Sequence, residues 1–285
     1  MAAPHWTQAE EASRAAGLEL RPLTELGDAD RILEVMITTW GEHQLLPSEL
    51  IRALQESGNV PYGAFRAEEM IGYVLGFIGS DEGGLHVHSH MLAVRPGLRS
   101  RGVGHALKLA QRAQALDAGV RVVRWTFDPL LSRNAHFNFG KLGAVADRFH
   151  RDFYGEMTDT LNRGDRSDRL VVRWDLDEDR GRPVMRQPSG RSKLILRRGG
   201  DSDAPRPERI DDPKIEGNLA GAIVHIPADY PSLRERVPEV AREWRAASAD
   251  ALEACFGAGM VAAGFERESF AYHFVAGSDL REWRK

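Results

Sequence analysis

The sequence predicts a mixed α/β fold: a central, mixed, twisted sheet flanked by helices. Three observations predict it. From Leu18 to about Asp175, segments with strand-like alternation take turns with segments of helical apolar spacing. Some of those strands follow one another across tight turns, so only part of the chain suits parallel pairing. The 285 residues are 42% hydrophobic and 28% charged, which is material for a real core in one large domain or two modest ones.

The elements follow in order. "LELRPL" reads as a strand, and "DADRILEVMITTW" as a helix with Asp28 as its cap residue. "SELIRALQES", after Pro47, reads as a second helix. "YGAFRAEEMIGYVLGFIG" reads as two strands joined at Glu68–Glu69. "LHVHSHMLAV" is a strand, and "GVGHALKLAQRAQALDAG" a helix stopped by Gly119. "VRVVRWTFD" is a strand, "SRNAHFNFGKLG" a short helix stopped by Gly143, and "AVADRFHRDFYG" and "RLVVRWDL" are closing strands. Residues 1–176 thus form the first domain. Residues 177–217, rich in charge, Pro and Gly, read as a linker or extended arm with one strand at "SKLILR". Residues 218–285 read as a β-α-β-β region. "FGKLGAVADRF" (Phe139 to Phe149) and "FGAGMVAAGF" (Phe256 to Phe265) each close a helix and open a strand, so this region is either a partial second copy or a chance recurrence of a common unit.

Several classes are excluded or disfavoured at once. A net charge of −4 gives no global attraction to nucleic acid. The longest apolar run, Met70 to Gly79, is too short to cross a bilayer, and the N-terminus lacks a basic start followed by an apolar stretch. With Cys255 alone, an intrachain disulfide or a cysteine-based zinc site is impossible. The expectation is a cytoplasmic protein without nucleic acid or membrane as partner.

The stretch "VRPGLRSRGVGHAL" carries the chemistry. A glycine-rich turn between strand and helix leaves amides unpaired at the positive end of the helix dipole, and glycines let an anion approach them. Arg99 and Arg101 add positive potential, so a phosphate is the expected anion. The phosphate loop of nucleotide hydrolases needs Lys then Ser/Thr after its last glycine, but Val103 and Gly104 follow Gly102. The dinucleotide fingerprint needs a third glycine where Leu107 stands. What remains is Arg/Gln-x-x-Gly-x-Gly/Ala, met by Arg99-Ser100-Arg101-Gly102-Val103-Gly104.

With the strand "HMLAV" before it and "NAHFNFGKLGA" after the next strand, this region resembles the GCN5-related N-acetyltransferase (GNAT) superfamily, over roughly Leu18 to Asp175. The resemblance implies the acyl-CoA N-acyltransferase fold and acetyl-CoA or another acyl-CoA as cofactor. It implies that the loop Arg99, Ser100, Arg101, Gly102, Val103, Gly104 and His105 holds the pyrophosphate. It also implies that the backbone around Leu92, Ala93 and Val94 pairs with the pantetheine arm, that the next strand splays away to admit the arm, and that Asn134 contacts the cofactor. The implied activity is direct acyl transfer to a small-molecule or peptide amine in a ternary complex.

Such transfer needs a base for the amine and an acid for the leaving thiolate. Alternation puts His86, His88 and His90 on one face of their strand, with Leu85, Val87, Ser89 and Met91 on the other. His88 lies where the family's base projects. Structural packing and a metal site are the other readings of the trio, although same-face side chains roughly 7 Å apart rarely share one ion. No metal is expected. The family's general-acid tyrosine falls on Phe139, which has no proton to give. His136, Asn138, Tyr154 or water are left for that role, with Tyr154 also readable as a packed surface aromatic. Asp128–Pro129 reads as a turn, Cys255 as a buried inert thiol, and Trp244 and Trp283 as an interface or helix cap. Two alternatives to an enzyme remain: a non-catalytic acyl-CoA-binding module and an interaction protein with a vestigial loop. The tail would cover a sheet edge, wall the acceptor cleft or form a homodimer contact.

Overall fold

In the computed structural model, which describes residues 4–42, 45–99, 101–157, 163–176, 192–200, 204–210 and 220–278, the expected alternation condenses into two compact units. The first runs through Trp125, with short returns at Glu156–Asp165 and Asp175–Asp179. The second holds Thr126–Gly155, Arg166–Trp174 and the chain from Arg180 onward.

The first unit contains α1 (Pro4–Ala15), β1 (Glu19–Pro22), α2 (Asp28–Trp40), α3 (Ser48–Glu56), β2 (Tyr62–Arg66), β3 (Glu69–Asp81), β4 (Gly84–Val94), α4 (Val103–Asp117) and the start of β5 (Val122–Phe127). The strands lie in the order β1-β2-β3-β4-β5, antiparallel except for β4 against β5. Strand β3 feeds two apolar layers, with a bulge at Ile71 shifting the simple alternation. Tyr73 and Leu75 pack with Leu23, Ile32, Val35, Met36 and Ile51 beneath α2 and α3. Ile71 and Val74 pack with Ala64, Val103 and Leu107 beneath α4. Burying side chains of this size contributes about 1.5–3 kcal/mol each.

Three local expectations change here. Helix α1 has no counterpart in the sequence reading, because it is fastened by a partner far along the chain: Trp6 Nε1 donates to Asp117 at 2.7 Å and His5 Nε2 sits 2.6 Å from the same carboxylate. The β2–β3 turn sits at Ala67–Glu68, one residue early, with Ala67 at φ 50°. Gly27, not Asp28, is the cap of α2. Asp28 is instead the first helical residue, fully buried, accepting from Arg21 (3.0 and 3.3 Å), from the Glu25 amide (3.0 Å) and from Arg31 (2.9 Å).

Burial alone would push the Asp28 carboxyl up, but Arg21, the Glu25 amide and Arg31 together hold it below the ordinary carboxylate value. A depressed folded-state pKa means stability present above the unfolded pKa and lost as pH falls through the folded one. Thermal unfolding followed between about pH 5 and pH 2 is therefore expected to show a steeper acid loss in the wild type than in Asp28→Asn. Parallel curves would contradict this.

The second unit contains α5 (Ser132–Ala135), which continues as a π-helical stretch over His136–Lys141, then β6 (Val145–His150), β7 (Arg169–Asp175), β8 (Ser192–Gly199), β9 (Arg206–Arg209), β10 (Gly221–His225), α6 (Tyr230–Arg236), α7 (Pro238–Gly257), β11 (Met260–Glu266) and β12 (Ala271–Ala276). Its strand order is β7-β6-β11-β12-β10-β8-β9. The charged segment read as an arm with one strand supplies two, β8 and β9, and β8 lies parallel to β10. A separate α6, absent from the sequence reading, precedes α7; Asp229 caps it by accepting from the Ser232 amide at 3.1 Å. Helix α7 packs on β6 and β8 through β11. Trp244, read as an interface or cap residue, is fully buried and donates to the Pro205 carbonyl at 2.6 Å; Trp283 lies outside the described residues.

The internal echo has a structural counterpart. Gly143 and Gly259 both take left-handed backbone, at φ 68° and 73°. Both following hairpins, β6–β7 and β11–β12, skip one residue at the same place, Asp147 in one and Ala263 in the other. Ala146 and Ala262, immediately before the two skips, are paired with each other where β6 meets β11 antiparallel.

Candidate functional site

The loop between β4 and α4 has the backbone its glycines imply. Gly97 and Gly102 sit at φ 82° and 87°, in the left-handed region that favours glycine. Gly102 is the cap residue of α4, so no side chain closes the helix start. Among the described residues the amides of Val103 and Gly104 have no hydrogen-bond partner, which leaves donors at the positive end of a fifteen-residue helix. Arg101 is exposed, His105 half-buried in the first turn, and Arg99 half-buried with Nε 3.5 Å from the Val94 carbonyl. Ser100 lies outside the described residues. Arg95 is already committed, donating to the Met70 carbonyl at 2.8 Å beside Glu34 and Glu69.

Strand β4 meets β5 in parallel at only two described positions, Val87↔Val123 and His88↔Arg124. Beyond them, Ser89 to Val94 has no β5 partner among the described residues. Leu92 and Val94 lean toward Leu107 of α4, and Ala93 toward α2. A polar backbone edge of six residues, roughly 16 Å from end to end, thus runs from the glycine loop back to the last β4–β5 pair.

His86, His88 and His90 share the face of β4 away from α4. His88 stacks on Phe77, with centroids 5.1 Å apart, and His90 lies 6.0 Å from both rings. Met91 joins them, contrary to simple alternation. The β3–β4 register skips His90 between Ser89 and Met91, and this bulge turns Met91 to the Tyr73 side, where its sulfur lies 3.7 Å from the Tyr73 hydroxyl. Burial, then the neighbouring His90, His86 and Lys108, pushes His88 down to about 4, so it is neutral at pH 7. Among the described residues no group of three His, Cys, Asp or Glu side chains is arranged to hold a metal ion.

On the opposite face stands a residue the sequence reading passed over. Lys108 of α4 is buried, its Nζ donating to Ser89 Oγ at 2.6 Å and to Gln111 Oε1 at 3.2 Å, and it lies 3.9 Å above the Trp125 ring. Burial pushes the amine down to about 7. The missed signal was a lysine one turn after Gly104, between Leu107 and Leu109 on the face that must pack against the sheet.

The remaining candidates belong to the second unit. Asn134 is half-buried in α5. Phe139 is packed edge-on against Phe127 and Tyr272, and the Tyr272 hydroxyl is already committed, buried and donating to the Pro129 carbonyl at 2.6 Å. Tyr154 is about half exposed, its hydroxyl 3.1 Å from Thr126 Oγ1 and its ring under Arg169. Asp128 forms the expected turn, accepting from the Leu130 amide, and also a buried two-pronged ion pair with Arg245 at 2.7 and 2.8 Å. Cys255 is buried and its thiol is pushed up to about 12, away from nucleophilic chemistry.

Residues 29–143 match the model of the acetyltransferase (GNAT) family. Similar solved structures include a ribosomal-protein alanine N-acetyltransferase of Escherichia coli, 14% identical over 57% of this chain and 99% of its own, with a TM-score of 0.46. A putative acetyltransferase of Salmonella typhimurium, solved with acetyl-CoA, is 15% identical over 60% of this chain and 99% of its own, at 0.45. A putative acetyltransferase from Desulfovibrio desulfuricans is 17% identical over 56% and 99%, at 0.44. No curated protein matches the sequence. No helix among the described residues is long and apolar enough to cross a membrane.

Proposed function

We propose, from the premise that residues 29–143 form a GNAT acetyltransferase domain, that the protein is an acyl-CoA-dependent N-acyltransferase. It passes an acyl group directly to the amine of a small molecule or peptide. One observation carries the reading: the open amides of the glycine-capped α4 lie at one end of a β4 edge that β5 leaves unpaired after two residues. The amides of Val103 and Gly104, with Arg99, Arg101 and His105 around them, hold the pyrophosphate, and Ser100 is carried over from the family resemblance as part of the same loop. The edge at Leu92, Ala93 and Val94 takes the pantetheine arm as an added strand. Acetyl-CoA is the reference donor. Asn134, in the second unit, is carried over from the family resemblance as a cofactor contact, and Tyr154 is one of the groups, with His136, Asn138 and water, left by Phe139 as candidate proton donors.

In this scheme a neutral amine attacks the thioester carbonyl, and His88, uncharged at neutral pH, accepts the proton. His88→Ala is expected to lower the transfer rate about 100-fold while leaving CoA affinity unchanged; wild-type rates across pH would remove His88 from the mechanism. The whole reading is tested by thermal shift with CoA and by following free thiol with acetyl-CoA and an amine panel. Stabilisation by excess CoA together with amine-dependent thiol release supports it. Phe139, standing where a donor hydroxyl belongs, favours a second reading as a non-catalytic acyl-CoA-binding protein. CoA binding without thiol release on any amine would decide for that.

A further inference from the structure

Ser89 and Trp125 are each the first residue past the last residue of the β4–β5 pairing, His88↔Arg124. They flank the closed end of the gap, and Lys108 Nζ bridges them from α4, bonded to Ser89 Oγ and lying over the Trp125 ring. Gly76 makes room for the cluster: a Cβ there would come within 2.7 Å of the Gln111 amide that helps hold the lysine. Ser89 accepts from Lys108, and its own hydroxyl proton has no acceptor among the described residues. Among those residues no carboxylate pairs with Lys108. A lysine buried without a counter-ion is costly to keep as mere packing, since a methionine would fill the same space without desolvating an amine.

We propose that Lys108, acting through Ser89, is the group that delivers the proton to the departing thiolate, in place of the hydroxyl missing at Phe139. The inference rests on the acyltransferase reading above. A donor with its phosphates at the glycine loop and its arm along β4 brings the thioester toward the closed end of the gap. There the two faces of β4 divide the proton traffic: His88 on one, Ser89 with Lys108 on the other. As the tetrahedral intermediate collapses, the carbon–sulfur bond breaks and its electron pair stays on sulfur. Ser89 gives its hydroxyl proton to sulfur and takes one from the Lys108 ammonium. The products are the amide, the free thiol and a neutral Lys108, which regains a proton from water when the product leaves. Lys108 is thus a positioning and proton-supplying residue behind Ser89.

The amine is matched to the task. Burial holds it at about 7, below the ordinary thiol value of about 8.5, so transfer to a thiolate is downhill. The titratable and charged groups on the elements around it are His86, His88 and His90 of β4, His105, Asp117 and Arg112 of α4, the last held by the Leu176 carbonyl, Arg124 of β5, Glu69 and Asp81 of β3, Asp81 lying beside Arg124, and His5, Glu10, Glu11 and Arg14 of α1. His88 is the one whose titration feels Lys108.

The test compares wild type, Lys108→Met and Ser89→Ala in the full chain, with acetyl-CoA and an amine the wild type accepts. Both variants are expected to bind CoA with wild-type affinity. Both are expected to lose about 100-fold in kcat. An acid must be protonated to act, so wild-type kcat should fall as pH rises through Lys108's value, and that falling limb should vanish in Lys108→Met. Variants within threefold of wild-type kcat, with the same limb, would overturn the inference while leaving the acyltransferase reading intact. A wild type that releases no thiol with any amine would overturn both. If Lys108→Met fails to fold, Ser89→Ala and the wild-type profile decide: full activity in the former, or no falling limb in the latter, overturns the inference.

Discussion

Replacing Gly104 by valine is expected to lower CoA affinity at least about 100-fold while leaving the protein folded. The physical reason is local. A Cβ with two methyl groups in the first turn of α4 stands between the helix-start amides and any phosphate. Each hydrogen bond from those amides to a charged oxygen contributes about 1.5–3 kcal/mol, and about 1.4 kcal/mol is a tenfold change in affinity. The helix does not suffer, since glycine is a worse helix former than valine by a few tenths of a kcal/mol. Titration calorimetry with CoA, beside a melting curve without it, separates the two effects. Unchanged affinity would show that phosphates do not sit on this turn. Gly102→Ala behaves differently: at φ 87° it strains the backbone by about 1–2 kcal/mol and lowers stability even without ligand.

The largest expected loss of stability lies in the second unit. Arg245→Met leaves the Asp128 carboxylate buried without its two-pronged partner, a situation that costs about 3–5 kcal/mol. For a chain of this size each kcal/mol lowers Tm by about 2–4 °C, so a drop of roughly 10 °C is expected in calorimetry. The double variant Asp128→Leu with Arg245→Met should recover most of it, because the orphaned charge is gone while the apolar surroundings of Tyr230 and Tyr272 remain. A single variant melting within 2–4 °C of wild type would mean that water reaches Asp128.

The β6–β7 and β11–β12 hairpins, both in the second unit, invite comparison because they repeat so closely. In the first unit the parallel strands β4 and β5 share two pairs, whereas β8 and β10 in the second are joined over four, Gly221↔Ser192 to Val224↔Leu196. A repeat of the skeleton therefore does not carry a repeat of the gap. The echo of Phe139–Phe149 in Phe256–Phe265 was legible as a pattern, but its register match at Ala146 and Ala262 depends on how the strands pair.

Local rules settled much of this protein directly from residue order. The alternation of strands and helices, the left-handed turns at Gly102 and Gly119, and the uncapped start of α4 all follow from short-range chemistry: apolar period, missing side chains, amides with no neighbour to bond. Tertiary structure decided what depends on distant partners. Asp28 became a buried charge because Arg21 reaches it, Met91 crossed faces because a bulge shifted β4 against β3, and α1 formed because Asp117 receives Trp6. Lys108 is the clearest instance. A lysine in "HALKLAQ" is ordinary on any helix surface, and only the packing of α4 against the parting strands deprives it of water and gives it Ser89 and Trp125 instead.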